Sequence, residues 1–416
     1  MSRKRQENNI NKEKENLSLL DLILKEREKG ENVITGILSI RPPEDMWRGL
    51  IALPPSTLLE DIVAEFDKKS NIPLELPFFT FFHYLAALLL QKSVTLHVND
   101  ITIRPDIWTV LLAESGAGKT FTNKQLQFGI PDLRNLSFDI GGIASTAKFI
   151  DMLQDNNNKM LFRDEFAEMY KQINNAAGPM SEMKDTMLRL YNNDDIIRMT
   201  KKEEISIINA AVVFFAVTVK EILSRELTAD DLINGFAQRF SFLIAPKDPK
   251  KDFINYPLWE INTKGWQEKW EDLVRSIKYT TYCADSDAID AFKTSFTLLV
   301  NRNIDESFYR RQLWKANKYA LIYHILLGRG NDQKIKSDCY GWAARLVGML
   351  LYDCMQLLQE HGLSDIETKI RKVEKLRERL AAKKQEITLR SIVQNIRDIK
   401  TIAEAKAILD LILHRR

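Results

Sequence analysis

Residues Ala113, Glu114, Ser115, Gly116, Ala117, Gly118, Lys119 and Thr120 follow a pattern of Ala or Gly, four variable residues, then Gly-Lys-Thr. A backbone whose N–H groups must converge on an anion needs small residues, and Gly116, Ala117 and Gly118 supply them. Lys119 offers a positive charge suited to β- and γ-phosphates, and Thr120 a hydroxyl suited to Mg2+. An apolar run at 107–113 feeds this loop, and a helix pattern leaves it from Lys119 through Phe121, aiming a helix N-terminus at the same anion. The strict pattern has Gly at its first position; Ala113 is a common relaxation. Residues 113–121 therefore form a candidate nucleotide-binding segment, with ATP and Mg2+ the expected ligands.

Such a loop needs a carboxylate at the end of a neighbouring strand to hold the metal. The run Met160-Leu161-Phe162-Arg163 ends in Asp164-Glu165, some 45 residues after the lysine. Asp164 is expected to orient the metal, and Glu165 to position and deprotonate the attacking water. Asp139, ending the preceding candidate strand, is the alternative base. The apolar run 210–217 ends in Thr218, whose hydroxyl suits either the γ-phosphate and water or a bond to nearby backbone. Arg239 stands just before another apolar run and suits two roles: a charge-stabilising arginine given to a neighbouring subunit's site, or a surface ion pair. Arg198, in a polar stretch with hairpin character, is a further candidate for the first role.

The elements that must position these groups alternate in strand and helix character, as an α/β fold requires. Strand-like runs fall at 93–98, 100–103, 107–113, 136–140, 159–163, 210–217 and 240–245. Helical patterns fall at 57–67, 78–90, 145–153 and 179–191, and the periodicity is helical throughout 259–360. The expected organisation is a flexible arm over 1–31 with a short amphipathic run at 17–24, then a prelude at 32–106 with Pro42-Pro43 and Pro54-Pro55. A core at 107–250, a helical domain at 251–362 and a basic helical module at 363–416 complete it.

Several blocks resemble a family of primase–helicase-like P-loop ATPases of bacteria, plasmids and phages. They are Pro77 with its apolar helix, VLLAESGAGKT, STAKFIDML with LFRDEF, MLRLYNNDDIIRMTKK, INAAVVFFAVTVKEIL, GFAQRFSFLIAP and RRQLWKANKYALIYHILL, spanning roughly residues 40 to 360. The resemblance implies a RecA-like core, a mostly parallel sheet flanked by helices, with an N-terminal helical layer and an all-α C-terminal region. It also implies an oligomer, a hexameric ring among its forms, working in DNA replication or mobile-element maintenance. Carried over by position, it supports Lys119, Thr120, Asp164, Glu165 and Arg239. Ala113, Thr218 (where relatives often have Gln) and the Asn192–Asp195 stretch without glycine depart from the pattern. No primase catalytic domain is visible, so such a partner is expected to be a separate protein.

Composition narrows the classes. At 45% hydrophobic and 28% charged the chain reads as globular, and no run reaches the length of a bilayer-spanning helix. The N-terminal Met-Ser-Arg-Lys-Arg leads into polar residues and not into a signal-peptide core. Three scattered cysteines and five scattered histidines suggest a reducing cytoplasm and no zinc site. Residues 366–416 hold 14 Lys and Arg against 7 Asp and Glu, a surplus of +7, which leaves −4 for the rest of a chain whose net charge is +3. Ile370, Val373, Leu376 and Leu380 form an apolar stripe there, with Thr388 and Thr401 as helix caps. Lys369, Arg371, Lys372, Lys375 and Arg377 suit phosphate contacts of a helix-turn-helix; a helical cap or oligomerisation element explains the same pattern. Two functions follow: an ATP-driven motor on nucleic acid, expected to be DNA, or an ATP-dependent switch that regulates a protein partner without unwinding.

Overall fold

The computed structural model describes residues 54–414, apart from 55, 144, 176, 200–203, 228–235, 249–250, 252–257, 301–305, 383–384, 397–398 and 400. The arm expected over 1–31, its run at 17–24 and Pro42-Pro43 lie outside the described residues.

Thr57 caps helix α1 (Leu58–Lys69) by accepting the Glu60 N–H. Helix α2 (Glu75–Gln91) is buried at every residue but its last, the state that an apolar circumference demands. A tight turn with Asn99 at φ 52° joins β1 (Thr95–Val98) to β2 (Ile101–Ile103). Then come β3 (Trp108–Ala113), α3 (Lys119–Gly129), β4 (Ser137–Asp139), α4 (Thr146–Asn156, capped by Ser145) and β5 (Met160–Arg163). Helices α5 (Phe166–Asn174) and α6 (Met183–Asn192) lead to an antiparallel hairpin of β6 (Ile196–Met199) and β7 (Glu204–Ile207). Strand β8 (Val213–Thr218), helix α7 (Lys220–Glu226) and strand β9 (Ser241–Ala245) follow.

Five of these strands form one all-parallel sheet in the order β4-β5-β8-β3-β9. Helices cover both of its faces, which explains why β3 and β8 are buried along their whole length instead of alternating. On one face His83 of α2 stacks on Phe215 at 4.5 Å and its Nε2 meets the Thr109 hydroxyl at 2.9 Å. On the other, Phe166 of α5 meets Phe214 edge-on at 5.7 Å, and Tyr191 of α6 meets Trp108 at 5.2 Å. The chain leaves β3 for the far edge at β4, then works back through β5 and β8 and across to β9. Right-handed crossovers therefore send α3 to the α2 face, where Asn123 accepts a hydrogen bond from the Tyr84 hydroxyl at 2.7 Å, and the later helices to the other. That reversal makes the carboxyl end of β3 the switch point of the sheet, where open α/β sheets form a crevice.

Beyond β9 lie α8 (Trp266–Ser276), β10 (Thr281–Ala284), α9 (Ser286–Val300), α10 (Glu306–Leu326), β11 (Lys334–Ile335) and α11 (Ser337–Ala382). The expectation of an all-helical 259–360 is corrected by β10 and β11, which join β1 and β2 in a second sheet ordered β11-β10-β1-β2. Strands of four and two residues carry no readable period.

The chain divides into two compact units, one through Cys354 and one from Met355. The boundaries expected at 106 and 250 fall inside the first, where β1 pairs with β10 and Lys318 of α10 bonds Asp106 at 2.9 Å. That ion pair is buried, with side chains 8% and 1% exposed, and Asn193 also donates to Asp106. The first helix of the basic module expected at 363–416 is not a separate element but the C-terminal part of α11, which begins at Ser337. In the second unit Val373 and Leu376 pack with residues of α12 (Leu389–Asn395) and α13 (Ile402–His414), including Ile392, Ile408 and Ile412. Thr388 and Thr401 cap these two helices through the Ser391 and Glu404 N–H groups. Lys372 is exposed and Arg377 partly so; the side chains of Ile370, Lys369, Arg371 and Lys375 lie outside the described residues.

Candidate functional site

Strand β3 ends at buried Ala113, and exposed Glu114, Ser115 and Gly116 begin the loop at the switch point. Gly116 and Gly118 have φ of 78° and 80°, with Ala117 between them outside the left-handed region. Such alternation turns successive N–H groups toward one concavity, and side chains at positive φ are strained. A Cβ on Gly118 would also lie 2.7 Å from Ile72. Gly118 is the residue before α3, so the first N–H groups of that 11-residue helix open onto the loop without carbonyl partners inside the helix.

Lys119 and exposed Thr120 start α3, and Phe121 packs its ring on Trp259 at 5.0 Å. The Lys119 ammonium bonds the Glu114 carbonyl at 3.2 Å. Burial lowers its pKa, opposed by the charges of Asp164, Glu165 and Glu221. Strand β5 lies two strands from β3, about 10 Å at the usual spacing, and Asp164 follows it directly. A helix starting over β3 spans that gap: the Thr120 hydroxyl donates to Asp164 Oδ2 at 2.7 Å. The other carboxylate oxygen of Asp164 accepts the Glu165 N–H at 2.9 Å. Glu165 is exposed and left-handed, at φ 55° and ψ 48°, on the turn into α5. For a residue with a Cβ this conformation costs about 1–2 kcal/mol, and such costs cluster where function requires a geometry.

Thr218 is buried, and its hydroxyl accepts the Ala167 N–H at 3.2 Å. That backbone bond pins α5 two residues beyond Glu165. Asp139 lies at the edge, one strand beyond β5, and accepts the Gly141 N–H in its own turn. Arg198 is held by Asp151 at 3.0 Å and by the Ala147 carbonyl. Arg239 precedes β9 at the amino end of the sheet, since Ser241 is in register with Thr109. Six residues of extended chain separate it from Ala245 beside the loop, about 20 Å, so it does not reach the loop of its own chain. Its guanidinium lies 5.4 Å from the Tyr191 ring centre, and burial with the nearby Arg311 charge lowers its pKa.

Glu221, in the first turn of α7, is an acidic neighbour of Lys119 that carries no sequence signal beyond following Thr218. A cavity of about 280 Å3 adjoins the loop on the β9 side, lined by residues 114–117 with Asn71, Pro73, Ala245 and Lys247. Of those last four only Ala245 falls in a block that the sequence singles out; Asn71, Pro73 and Lys247 do not. Cys339 and Cys354 are buried, and burial pushes the Cys354 thiol up to about 12, while Cys283 is exposed on β10 in the second sheet.

No cluster of three His, Cys, Asp or Glu among the described residues could hold a metal ion by itself. Thr120 and Asp164 form a different donor set, one hydroxyl and one carboxylate, which suits an ion that keeps its remaining positions for phosphate oxygens and water, as Mg2+ does. Among the described residues no helix is long and apolar enough to cross a membrane. Compared with protein-family models and with curated proteins, the chain matches none.

Proposed function

We propose that the chain is an ATP-hydrolysing P-loop enzyme with a RecA-like core, working as a helicase-like motor on nucleic acid. The observation that carries the hydrolytic reading is the 2.7 Å bond from Thr120 Oγ1 to Asp164 Oδ2, which joins the glycine-containing loop to the acidic pair across an intervening strand. In this reading the loop N–H groups and Lys119 hold the β- and γ-phosphates, while Thr120 and Asp164 hold Mg2+, which neutralises charge on the phosphate oxygens when bound. Glu165 takes a proton from water as its oxygen attacks the γ-phosphorus. The bond from that phosphorus to the bridging oxygen breaks, and ADP and phosphate leave. Thr218 acts through Ala167, keeping the turn that carries Glu165 in place.

Two features support a motor on nucleic acid: the basic surplus of residues 366–416 and the resemblance of the motif blocks to primase–helicase-like proteins. Arg239, out of reach of its own loop, suits an assembly in which one subunit completes the next. The deciding experiment measures ATP turnover with and without single-stranded and duplex DNA, alongside the mass of the assembly. Turnover raised several-fold by DNA in an oligomer is the expected result. Turnover indifferent to DNA but raised by a protein would replace the motor by the switch, and normal turnover in Lys119→Ala would overturn the hydrolytic reading itself.

A further inference from the structure

The loop straddles β3, and the two sides of that strand differ. Toward β8 and β5 lie the carboxylates of Asp164 and Glu165; toward β9 lies the cavity of about 280 Å3. A nucleoside triphosphate lying across the loop with its γ-phosphate at the carboxylates points its other end at the cavity. The volume is at the small end of ligand pockets and suits a nucleoside without its phosphates. Pro73 and Ala245, both buried residues, give it apolar lining, and Lys247 and Asn71 give it polar groups. Asn71 is oriented: its Oδ1 accepts the Trp259 indole N–H at 3.1 Å, and an indole nitrogen only donates. The remaining amide group, Nδ2, is therefore a donor. Trp259 is placed in turn by its contact with Phe121, and its ring would lie 3.3 Å from a Cβ on Gly118.

We infer that this cavity seats the base and sugar of the nucleotide, with Asn71 Nδ2 donating to an acceptor on the base edge and Trp259 positioning that amide. The inference rests on the phosphate-loop reading above and adds the substrate's nucleoside end and the residues that read it. Trp259 links the nucleoside seat to the first turn of α3, so the two ends of the ligand are sensed by one connected group of side chains.

The test titrates the full-length chain with ATP and, separately, with inorganic triphosphate, in wild type, Asn71→Leu and Trp259→Phe. Asn71→Leu is expected to weaken ATP binding about tenfold, the worth of one neutral hydrogen bond, and to leave triphosphate binding unchanged. Trp259→Phe, which keeps a ring against Phe121 but removes the indole donor, is expected to weaken ATP binding in the same sense by less, again sparing triphosphate. Undiminished ATP affinity in Asn71→Leu would overturn the seat and leave the phosphate loop standing. An equal loss for ATP and triphosphate would make Asn71 a scaffold residue and would also overturn the seat. Failure of wild type to bind either ligand would instead overturn the phosphate-loop reading on which it rests.

Discussion

Glu165 combines exposure, a left-handed backbone and a neighbour whose carboxylate oxygens are both engaged, one by Thr120 and one by its own N–H. A base that must meet water needs such exposure, and a residue held by the turn on both sides needs no reorganisation to act. Glu165→Gln keeps the size and the hydrogen bonds and removes the basicity. It is expected to retain ATP binding within about threefold and to lose at least about a hundredfold in turnover, within the usual contribution of general-base catalysis. Equilibrium binding and single-turnover hydrolysis separate the two effects. Lys119→Ala should instead lose nucleotide binding, because in the proposed site its charge serves the ground state as well as the transition state. The pattern around Lys119 was legible because loop chemistry is local: small residues and one cation are read directly. Asp164 and Glu165 were legible because an acidic pair closing an apolar run is also local. Glu221 and Asn71 were not, since each reaches the site from an element with no chemical signature of its own.

At the scale of elements, α2 and α10 tie the sheet to the helices beside it through buried polar groups. His83 donates from Nδ1 to the Phe79 carbonyl at 2.6 Å and accepts the Thr109 hydroxyl at Nε2, the arrangement of a neutral ring. Burial lowers its pKa to about 3 from 6.5. Between these values the unfolded chain binds a proton that the folded chain refuses, so stability falls as pH drops from 6.5 toward 3. The slope for one such group is about 1.4 kcal/mol per pH unit. Denaturant unfolding of wild type and His83→Gln between pH 6 and 4 should show that slope reduced in the variant by about one proton's worth. Asp106 makes a second tie, bonded to Lys318 and Asn193 with almost no exposure. Asp106→Asn leaves the Lys318 ammonium buried without its counter-charge and should cost about 3–5 kcal/mol of stability, read from the denaturation midpoint. These ties escape a sequence reading because Asp106 and Lys318 stand far apart in the chain, and a lone Asp before a strand resembles any other.

For the whole molecule, the position of Arg239 bears on assembly. It lies at the end of the sheet away from the loop that it is proposed to serve, so its part in hydrolysis requires a second copy. Arg239→Ala is expected to bind ATP normally and to lose about a hundredfold or more in turnover. Mixing it with Lys119→Ala should restore activity, because a junction between the two can pair an intact loop with an intact arginine. Turnover that stays at the sum of the separate variants would exclude the shared site. The second unit has an apolar core of its own around Val373, Leu376, Ile392 and Ile408, so its helices do not depend on the basic surface for their packing.

The sequence by itself determined what short-range chemistry can encode. The loop at 113–120, the acidic pair, most strands of the parallel sheet, and the caps at Thr388 and Thr401 all follow from residue type and period over a few positions. Only the tertiary structure decided the strand order that sets β8 between β3 and β5, because pairing partners are chosen by global burial and crossover handedness and not by any local pattern. That order brings Thr120 to Asp164, puts Asp139 at the edge and sends Arg239 to the opposite end. It also opens the cavity beside β9; β10 and β11, in the second sheet, are held instead by β1 and by each other, partners that no local pattern names.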